Sequence, residues 1–374
     1  MVLKEIDYIE NLLTEYEERI LTYQQDYILS NQHLLYSFKD YLLVPSFFTG
    51  SSRSFIDTST RVRDVYDNLV TLSLPFVPAA MKFFNKDFIN SLKKIKEEKD
   101  IFILHFYPRV GIDFREVKEL LKDFKFSVSV GVNTDLKLIE ELLSTNNVVF
   151  ISLDVAHGAS RLAAKRIFEL SKLTKTGIVW GNFGSLVSII YALLVLKEAG
   201  IYNAYLKLGI GSGSACTTRM NVGVGMPNMM LINMYKEFAE GSYFNEIKDI
   251  FGFKDFNNFG TILDGGFRSH GDLNKAVALS DLVMTGQMFI SEEMEGNVYY
   301  GMASEDAKKL ENKSGYVEGN KYEVSEKKPL IEIIESMIHH LQSAMSYVGA
   351  SNLDQFRSRA RFVLSRTSEE GFWR

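Results

Sequence analysis

The sequence predicts an α/β protein built on a parallel sheet, and three features predict it. Apolar strand-like runs alternate with amphipathic helical stretches from about residue 36 onward. The runs are dense in β-branched and aromatic residues without strict alternation, as expected for parallel strands covered on both faces. No Pro/Gly/Ser-rich linker and no short-period repeat interrupts the series. Eight strands each followed by a helix is the count of a closed (β/α)8 barrel, although the pattern alone also permits an open doubly wound sheet.

Residues 1–33 form an N-terminal helical extension. Ile6, Ile9, Leu13, Tyr16, Ile20, Tyr23 and Tyr27 recur at alternating steps of three and four, with Glu10, Glu15, Glu17, Glu18 and Arg19 largely off the stripe. That spacing lays an apolar seam along one helix face. The seam suits an accessory helix lying on the main body, or a subunit contact. The predicted strands are Pro75–Met81, Ile101–Phe106, Phe126–Val132, Val148–Ala156, Gly177–Asn182, Tyr202–Ile210, Phe259–Asp264 and Asp281–Thr285. Between them, Asp87–Lys99, Phe114–Phe124, Arg161–Lys172 and Ser185–Ala199 carry helical patterns. Residues 290–328 are rich in Glu, Lys, Gly and Asn with little apolar periodicity, and read as a mobile flap or a disordered tether. A helix is expected over 329–348, so residues 34–374 make one domain: barrel, flap and closing helix.

A composition of 46% hydrophobic and 24% charged residues can bury a large core. A formal charge of −5 gives no electrostatic case for nucleic acid as a partner. One cysteine excludes an internal disulfide framework and fits a reducing compartment. No secretory signal pattern opens the chain, and its longest apolar stretch, around Leu186–Leu196, is shorter than the ~20 residues of a membrane span. A cytoplasmic protein without membrane partners is the expectation.

The chemistry points to Leu206-Lys-Leu-Gly-Ile-Gly-Ser-Gly-Ser-Ala-Cys216-Thr-Thr-Arg219. A buried strand breaks there into a loop with Gly209, Gly211 and Gly213 and ends on the only cysteine. Closely spaced glycines bring backbone amides and carbonyls up to a ligand or ion. A thiol at the end of such a loop sits where α/β enzymes place reactive groups. A lone cysteine is commonly a small core residue, but the polar neighbours of Cys216 argue for access. LDVAHG at 153–158, WGN at 180–182, LDGG at 263–266 and TGQ at 285–287 also sit at predicted strand ends.

The run GIGSGSACTTR followed by GVGMPNMMLI resembles the cysteine loop of the GMP reductase and inosine monophosphate dehydrogenase family. LDVAHG, LDGGFRSHGDLNKA at 263–276 and YGMAS at 300–304 agree with that family in order and spacing. The similarity spans from YSFKDYLLVPS at Tyr36 to YVGA at 347–350, about nine-tenths of the chain. It implies a closed (β/α)8 TIM barrel, a purine mononucleotide substrate, a nicotinamide cofactor (NADPH, with NADH as the other candidate) and a homotetramer. Cys216 would be the nucleophile, adding to C2 of the purine. Thr218 would shuttle the proton of the leaving amine together with Glu318, with Glu305 the nearest rival. Substrate contacts fall on Ser214, Asp264, Gly265, Gly266, Gly286, Gln287, Gly301, Met302 and Gly319. Cofactor contacts fall on Ser52, Arg53, Asp154, Val155, Ala156, Ile210, Gly211, Ser343 and Ser346. A monovalent cation, potassium in the family, would take the carbonyls of Gly211, Gly213 and Cys216.

Within the family, the features favour a reductase. The stretch from Phe106 to Phe126 leaves no room for the dehydrogenases' regulatory insert, residues 290–328 contain no arginine, and YGMAS resembles the reductase YGMSS. There are departures. Ala80-Met81-Lys82 replaces Asn-Met-Asp, and His105-Phe106 replaces His followed by a cation, with Arg109 three residues along as a substitute. Gly286-Gln287 replaces Gly-Gly, and Ser314-Gly315 replaces a Tyr-Arg pair. The first reading is NADPH-dependent reductive deamination of GMP, or a related purine mononucleotide, to IMP and ammonia. Oxidation of IMP by a stripped-down barrel is the second. A nucleotide-binding protein that has lost turnover, favoured by Lys82 and Phe106, is the third.

Overall fold

The computed structural model describes residues 2–109, 112–253, 259–301 and 319–365. Helix α1 (Val2–Ser30) follows the predicted seam: Ile6, Ile9, Leu13, Ile20 and Tyr27 are buried. The chain closes the helix at Asn31, whose amide and side chain both donate to the Tyr27 carbonyl.

The eight-stranded sheet is parallel throughout. Its strands in chain order are β1 (Phe76–Pro78), β2 (Phe106–Tyr107), β3 (Phe126–Val130), β4 (Val148–Asp154), β5 (Ile178–Phe183), β6 (Ala204–Leu208), β7 (Gly260–Asp264) and β8 (Leu282–Thr285). Strand β8 returns to β1 through Val283↔Phe76 and Thr285↔Pro78, so the sheet curls into a barrel. Helices α2 (Lys86–Lys99), α3 (Phe114–Asp123), α4 (Leu136–Leu143), α5 (Arg161–Leu170) and α6 (Leu186–Glu198) follow the first five strands. The short α7 (Thr218–Asn221), α8 (Asn228–Glu240) and α9 (Asn245–Ile250) follow β6, α10 (His270–Val277) follows β7, and α11 (Leu330–Val348) and α12 (Leu353–Arg359) come after β8. This is a (β/α)8 TIM barrel, and the open-sheet alternative falls away.

Sequence and structure differ most at β2. Of the expected Ile101–Phe106, only Phe106 enters a ladder, opposite Ser127. The preceding residues use other partners: Phe102 bonds with Ser73, and His105 places Nε2 3.0 Å from the Phe84 carbonyl. Burial lowers the His105 pKa to about 3, so this imidazole stays neutral. The stretch read as a flap also holds more structure than its composition announced. Strand β9 (Val298–Tyr300) pairs antiparallel with β10 (Lys321–Glu323), and Tyr299 is buried in the hairpin. Residues 302–318 between them lie outside the described residues, Met302, Glu305, Ser314, Gly315 and Glu318 included.

Helix α6 explains why α1 lies where it does. An ordinary barrel helix is apolar only on the face toward the strands. In α6, Leu186, Ile189, Ile190, Leu193, Val195 and Leu196 are all buried, so its outer face needs a cover. Helix α1 packs against α6 and α5 and supplies it. Each fully buried Leu or Ile of that interface contributes ~1.5–3 kcal/mol. Arg161 of α5 bonds to Asp7 and Glu10, and Gln24 accepts the amide of Leu186 at 2.7 Å. The seam is accounted for within the chain, as an accessory helix. No described helix is long and apolar enough to cross a membrane.

Candidate active site

The carboxyl ends of the strands enclose a pocket of about 720 Å³, a volume suited to a small organic ligand. Its floor is ionic. Lys207 on β6 is 4% exposed and forms ion pairs with Asp154 at the end of β4 and, at 3.5 Å, with Asp264 at the end of β7. Asn182 of β5 donates to Asp264 at 2.8 Å and to the Gly209 carbonyl at 2.7 Å. Strand β5 can run this close to Lys207 because position 181 is glycine: a Cβ there would lie 2.4 Å from the Lys207 Cβ. Burial raises the Asp154 pKa, but the charges of Lys207 and Arg109 outweigh it, and the carboxyl ends below the usual range. For Lys207 burial acts downward, yet the two carboxylates prevail and lift it. Lys207 and Asp154 therefore hold each other in their charged forms.

Above the floor runs the cysteine loop. Gly209 and Gly211 adopt φ of +125° and +67°, the left-handed region that favours glycine. The Cys216 amide donates to the Gly213 carbonyl at 3.0 Å, tightening the turn. Arg219 ties the loop's ends together through the carbonyls of Ile210 at 3.0 Å and Met226 at 2.6 Å. Half-buried Cys216 has its Sγ 3.2 Å from the Thr218 hydroxyl. The hairpin returns beside them: Gly319 bridges to Cys216, and the Asn320 amide donates to the Ala215 carbonyl at 2.8 Å.

The third wall is neutral. The Ser214 hydroxyl lies 3.3 Å from the Tyr322 hydroxyl, and Tyr322 stacks on Tyr299 with centroids 5.0 Å apart. The Tyr299 hydroxyl reaches Gly286, where a Cβ would come within 2.3 Å of it. Burial pushes the Tyr299 pKa well above the usual phenol range, so it stays a neutral hydrogen-bonding group. Gly265 and Gly266, both with positive φ, turn the chain alongside Ser212.

The predicted residues divide into groups. Cys216, Thr218, Asp154, Val155, Ala156, Ile210, Gly211, Gly213, Asp264, Gly265, Gly286 and Gly301 line the pocket together. Ser214 and Gly319 are not on the pocket wall: Gly319 bridges to Cys216, which is, and Ser214 contacts Tyr322 behind it. Gly266 and Gln287 continue the turns that start at Gly265 and Gly286. Ser52, Arg53, Ser343 and Ser346 are not on the pocket wall: Arg53 donates to the Ser343 hydroxyl at 3.1 Å in a separate patch. Phe106 faces the barrel interior and packs on Phe150, while Arg109 lines the pocket near Asp154. Sequence reasoning missed Lys207, Tyr299 and Tyr322, and it singled out Asn182 only as part of WGN at a strand end, without a role. Lys207 had left a signal, a lone charge in the middle of an apolar strand; the tyrosines had left none.

Fold and site together define a TIM-barrel protein with a cysteine nucleophile candidate at the mouth of a nucleotide-sized pocket. Residues 35–372 match the family model for the IMP dehydrogenase / GMP reductase domain. The GMP reductase of Oceanobacillus iheyensis is 31% identical over 340 residues, covering 87% of this chain and 94% of that protein. The GMP reductase of Bacillus subtilis is 30% identical over 341 residues, covering 87% and 94%. That of Lactococcus lactis subsp. cremoris SK11 is 29% identical over 357 residues, covering 91% and 98%. The chain belongs to the IMP dehydrogenase / GMP reductase family. All of α1 lies outside the residues matched by the family model.

Proposed function

We propose that this protein catalyses NADPH-dependent reductive deamination of GMP, or a closely related purine mononucleotide, to IMP and ammonia. The observation that carries the reading is Cys216 Sγ at 3.2 Å from the Thr218 hydroxyl, on a loop tied to the hairpin at Gly319. As a thiolate, Cys216 adds to C2 of the purine, and the C2–N2 bond breaks as ammonia leaves with a proton relayed by Thr218. Glu318 is the proposed partner of Thr218 in that relay. The nicotinamide cofactor, when bound, supplies a hydride to C2. The C2–S bond then breaks, returning the electron pair to Cys216 and releasing IMP.

The pocket's two ends fit two ligands. Asp264 suits the ribose hydroxyls, and Ser214 with the turns at Gly265–Gly266 and Gly286–Gln287 suits the phosphate. Val155, Ala156, Ile210 and Gly211 beside Asp154 fit a nicotinamide riboside, with Arg109 as a further cation on the pocket wall. Ser52, Arg53, Ser343 and Ser346 contact the adenosine end in this reading. They lie where α11 packs on the segment entering the hairpin 60–72, which closes the amino-terminal end of the barrel through Val65 and Val149. One copy's patch would therefore serve the pocket of another, consistent with a cytoplasmic homotetramer. Carbonyls at Gly211, Gly213 and Cys216 are the proposed potassium ligands.

The test is direct. Purified protein with GMP and NADPH should consume NADPH and release an equal amount of ammonia. Reduction of a nicotinamide cofactor with IMP instead would select the dehydrogenase reaction, and tight GMP binding without turnover would select a binding protein.

A further inference from the structure

We propose that Gln24 of α1 is a positioning residue for the cofactor side of the pocket, acting through the turn 184–186 on Ile210 of the cysteine loop. The inference rests on the reading above for what that side binds. It concerns a helix outside the family match, since α1 spans Val2–Ser30 and the match begins at residue 35.

A helix leaves its first amides without partners inside the helix. In α6 the N-cap Ser185 serves one of them, accepting from the Ser188 amide at 3.2 Å. Leu186, the first helical residue, is fully buried, and its amide donates to Gln24 Oε1 at 2.7 Å. The Ser188 hydroxyl holds the same turn from within the helix, accepting from the amides of Gly184 at 3.3 Å and Ser185 at 3.0 Å. Gly184 and Ser185 belong to the pocket wall, and so does Ile210. Gly184 lies so near the cysteine loop that a Cβ on it would come within 2.9 Å of Ile210 Cδ1. One residue earlier, the Phe183 carbonyl accepts the Gly209 amide at 2.9 Å. A turn packed this closely cannot shift without moving Ile210.

Other contacts of α1 fix the helix to the body: its apolar seam lies on α6, and Asp7 and Glu10 pair with Arg161. Gln24 differs because its partner is the main chain of the pocket wall. That position needs an acceptor. Removing it strands a buried N–H, which regains a partner only if the turn opens toward water. A glutamate would serve there as well, because its carboxylate accepts and a helix N-terminus favours an anion. Loss of the acceptor should be felt at Ile210 and Gly211, beside the proposed nicotinamide riboside. It should spare Asp264, which Lys207 and Asn182 brace independently.

Gln24→Leu and Gln24→Glu test this in the full-length chain, with Arg161→Ala as a comparison that loosens α1 elsewhere. In Gln24→Leu, amide hydrogen exchange over residues 184–190 and 209–213 should quicken about fivefold. Alkylation of Cys216, the chain's only thiol, by iodoacetamide should quicken with it. The KM for NADPH should rise about fivefold, while kcat and the affinity for GMP stay within about twofold. Gln24→Glu should restore all of these, and Arg161→Ala should move none. Unchanged exchange at both segments in Gln24→Leu would overturn the proposal, as would a loosened turn with an unchanged KM in an active enzyme. Protection lost evenly along α1 and α6 with a lower urea midpoint, or a defect that Gln24→Glu does not repair, would reduce Gln24 to docking the helix. If the wild type consumes no NADPH with GMP, the function proposed above fails, while exchange and alkylation still decide whether Gln24 holds the loop.

Discussion

The two ends of the pocket solve the same problem, holding polar groups under a barrel mouth, by opposite means. The floor uses full charges: Lys207 against Asp154 and Asp264, with Asn182 bracing one carboxylate. The far wall uses hydroxyls and tight turns: Ser214, Tyr299, Tyr322, Gly265 and Gly286. A buried ion pair is rigid and unforgiving, since removing one partner strands the other charge. A neutral hydroxyl cluster is adaptable, because each member can exchange a neighbour for a ligand at small cost. The floor thus fixes geometry, and the wall is left free to respond to what binds.

Breaking the chemistry between the two ends should have the largest effect. Cys216→Ala removes the proposed nucleophile, and turnover should fall at least about a thousandfold with nucleotide binding retained, as single-turnover and calorimetric measurements would report. Unchanged turnover would leave the cysteine without a catalytic role.

Next comes the floor. Lys207→Met leaves two carboxylates close together without their cation and should cost ~3–5 kcal/mol of stability in urea unfolding. Lys207→Arg should recover much of it. The pH dependence carries a defined sign. Asp154 is held below its usual 3.8, so its contribution is present above that value and disappears as pH falls through the lowered pKa. Lys207 is held above its usual 10.5, so its contribution is present below that value and disappears as pH rises through the raised pKa. In Lys207→Met the acid limb attributable to Asp154 should shrink.

The wall should yield smaller changes. Gly286→Ala inserts a methyl 2.3 Å from the Tyr299 hydroxyl and 2.5 Å from the Met81 sulfur, and should cost ~1–3 kcal/mol of stability or nucleotide affinity. A variant as stable and as tight as wild type would contradict the close approach. The smallest effect belongs outside the pocket. Arg161→Ala removes exposed pairs to Asp7 and Glu10 and should leave stability in urea unfolding nearly unchanged, with any difference vanishing at high salt. Leu13→Ala, in the buried seam, should cost ~2–5 kcal/mol by comparison.

Much of this was legible in the chain. The eight strands were readable because buried parallel strands are continuous apolar runs, and α1 because its seam repeats at helical spacing. The cysteine loop was readable because glycines and a lone thiol cluster locally. Tyr299 and Tyr322 were not, since a tyrosine in a polar stretch carries no mark of the partner it will stack on. The separation of Arg53 and Ser343 from the pocket was equally invisible, because matching residues to a pattern says nothing of which end of a barrel they occupy.

By itself, then, the sequence determined the periodicities: which segments are strands or helices, which face of α1 is apolar, and where the backbone must turn through glycine. These are properties of neighbours along the chain. Only the tertiary structure decided which distant groups meet: Lys207 with two aspartates from other strands, α1 with the outer face of α6, and the hairpin's tyrosines with Ser214. Contacts of that kind depend on barrel closure and strand register, which bring residues from 53 to 108 positions apart within bonding distance, and no local pattern names the partner.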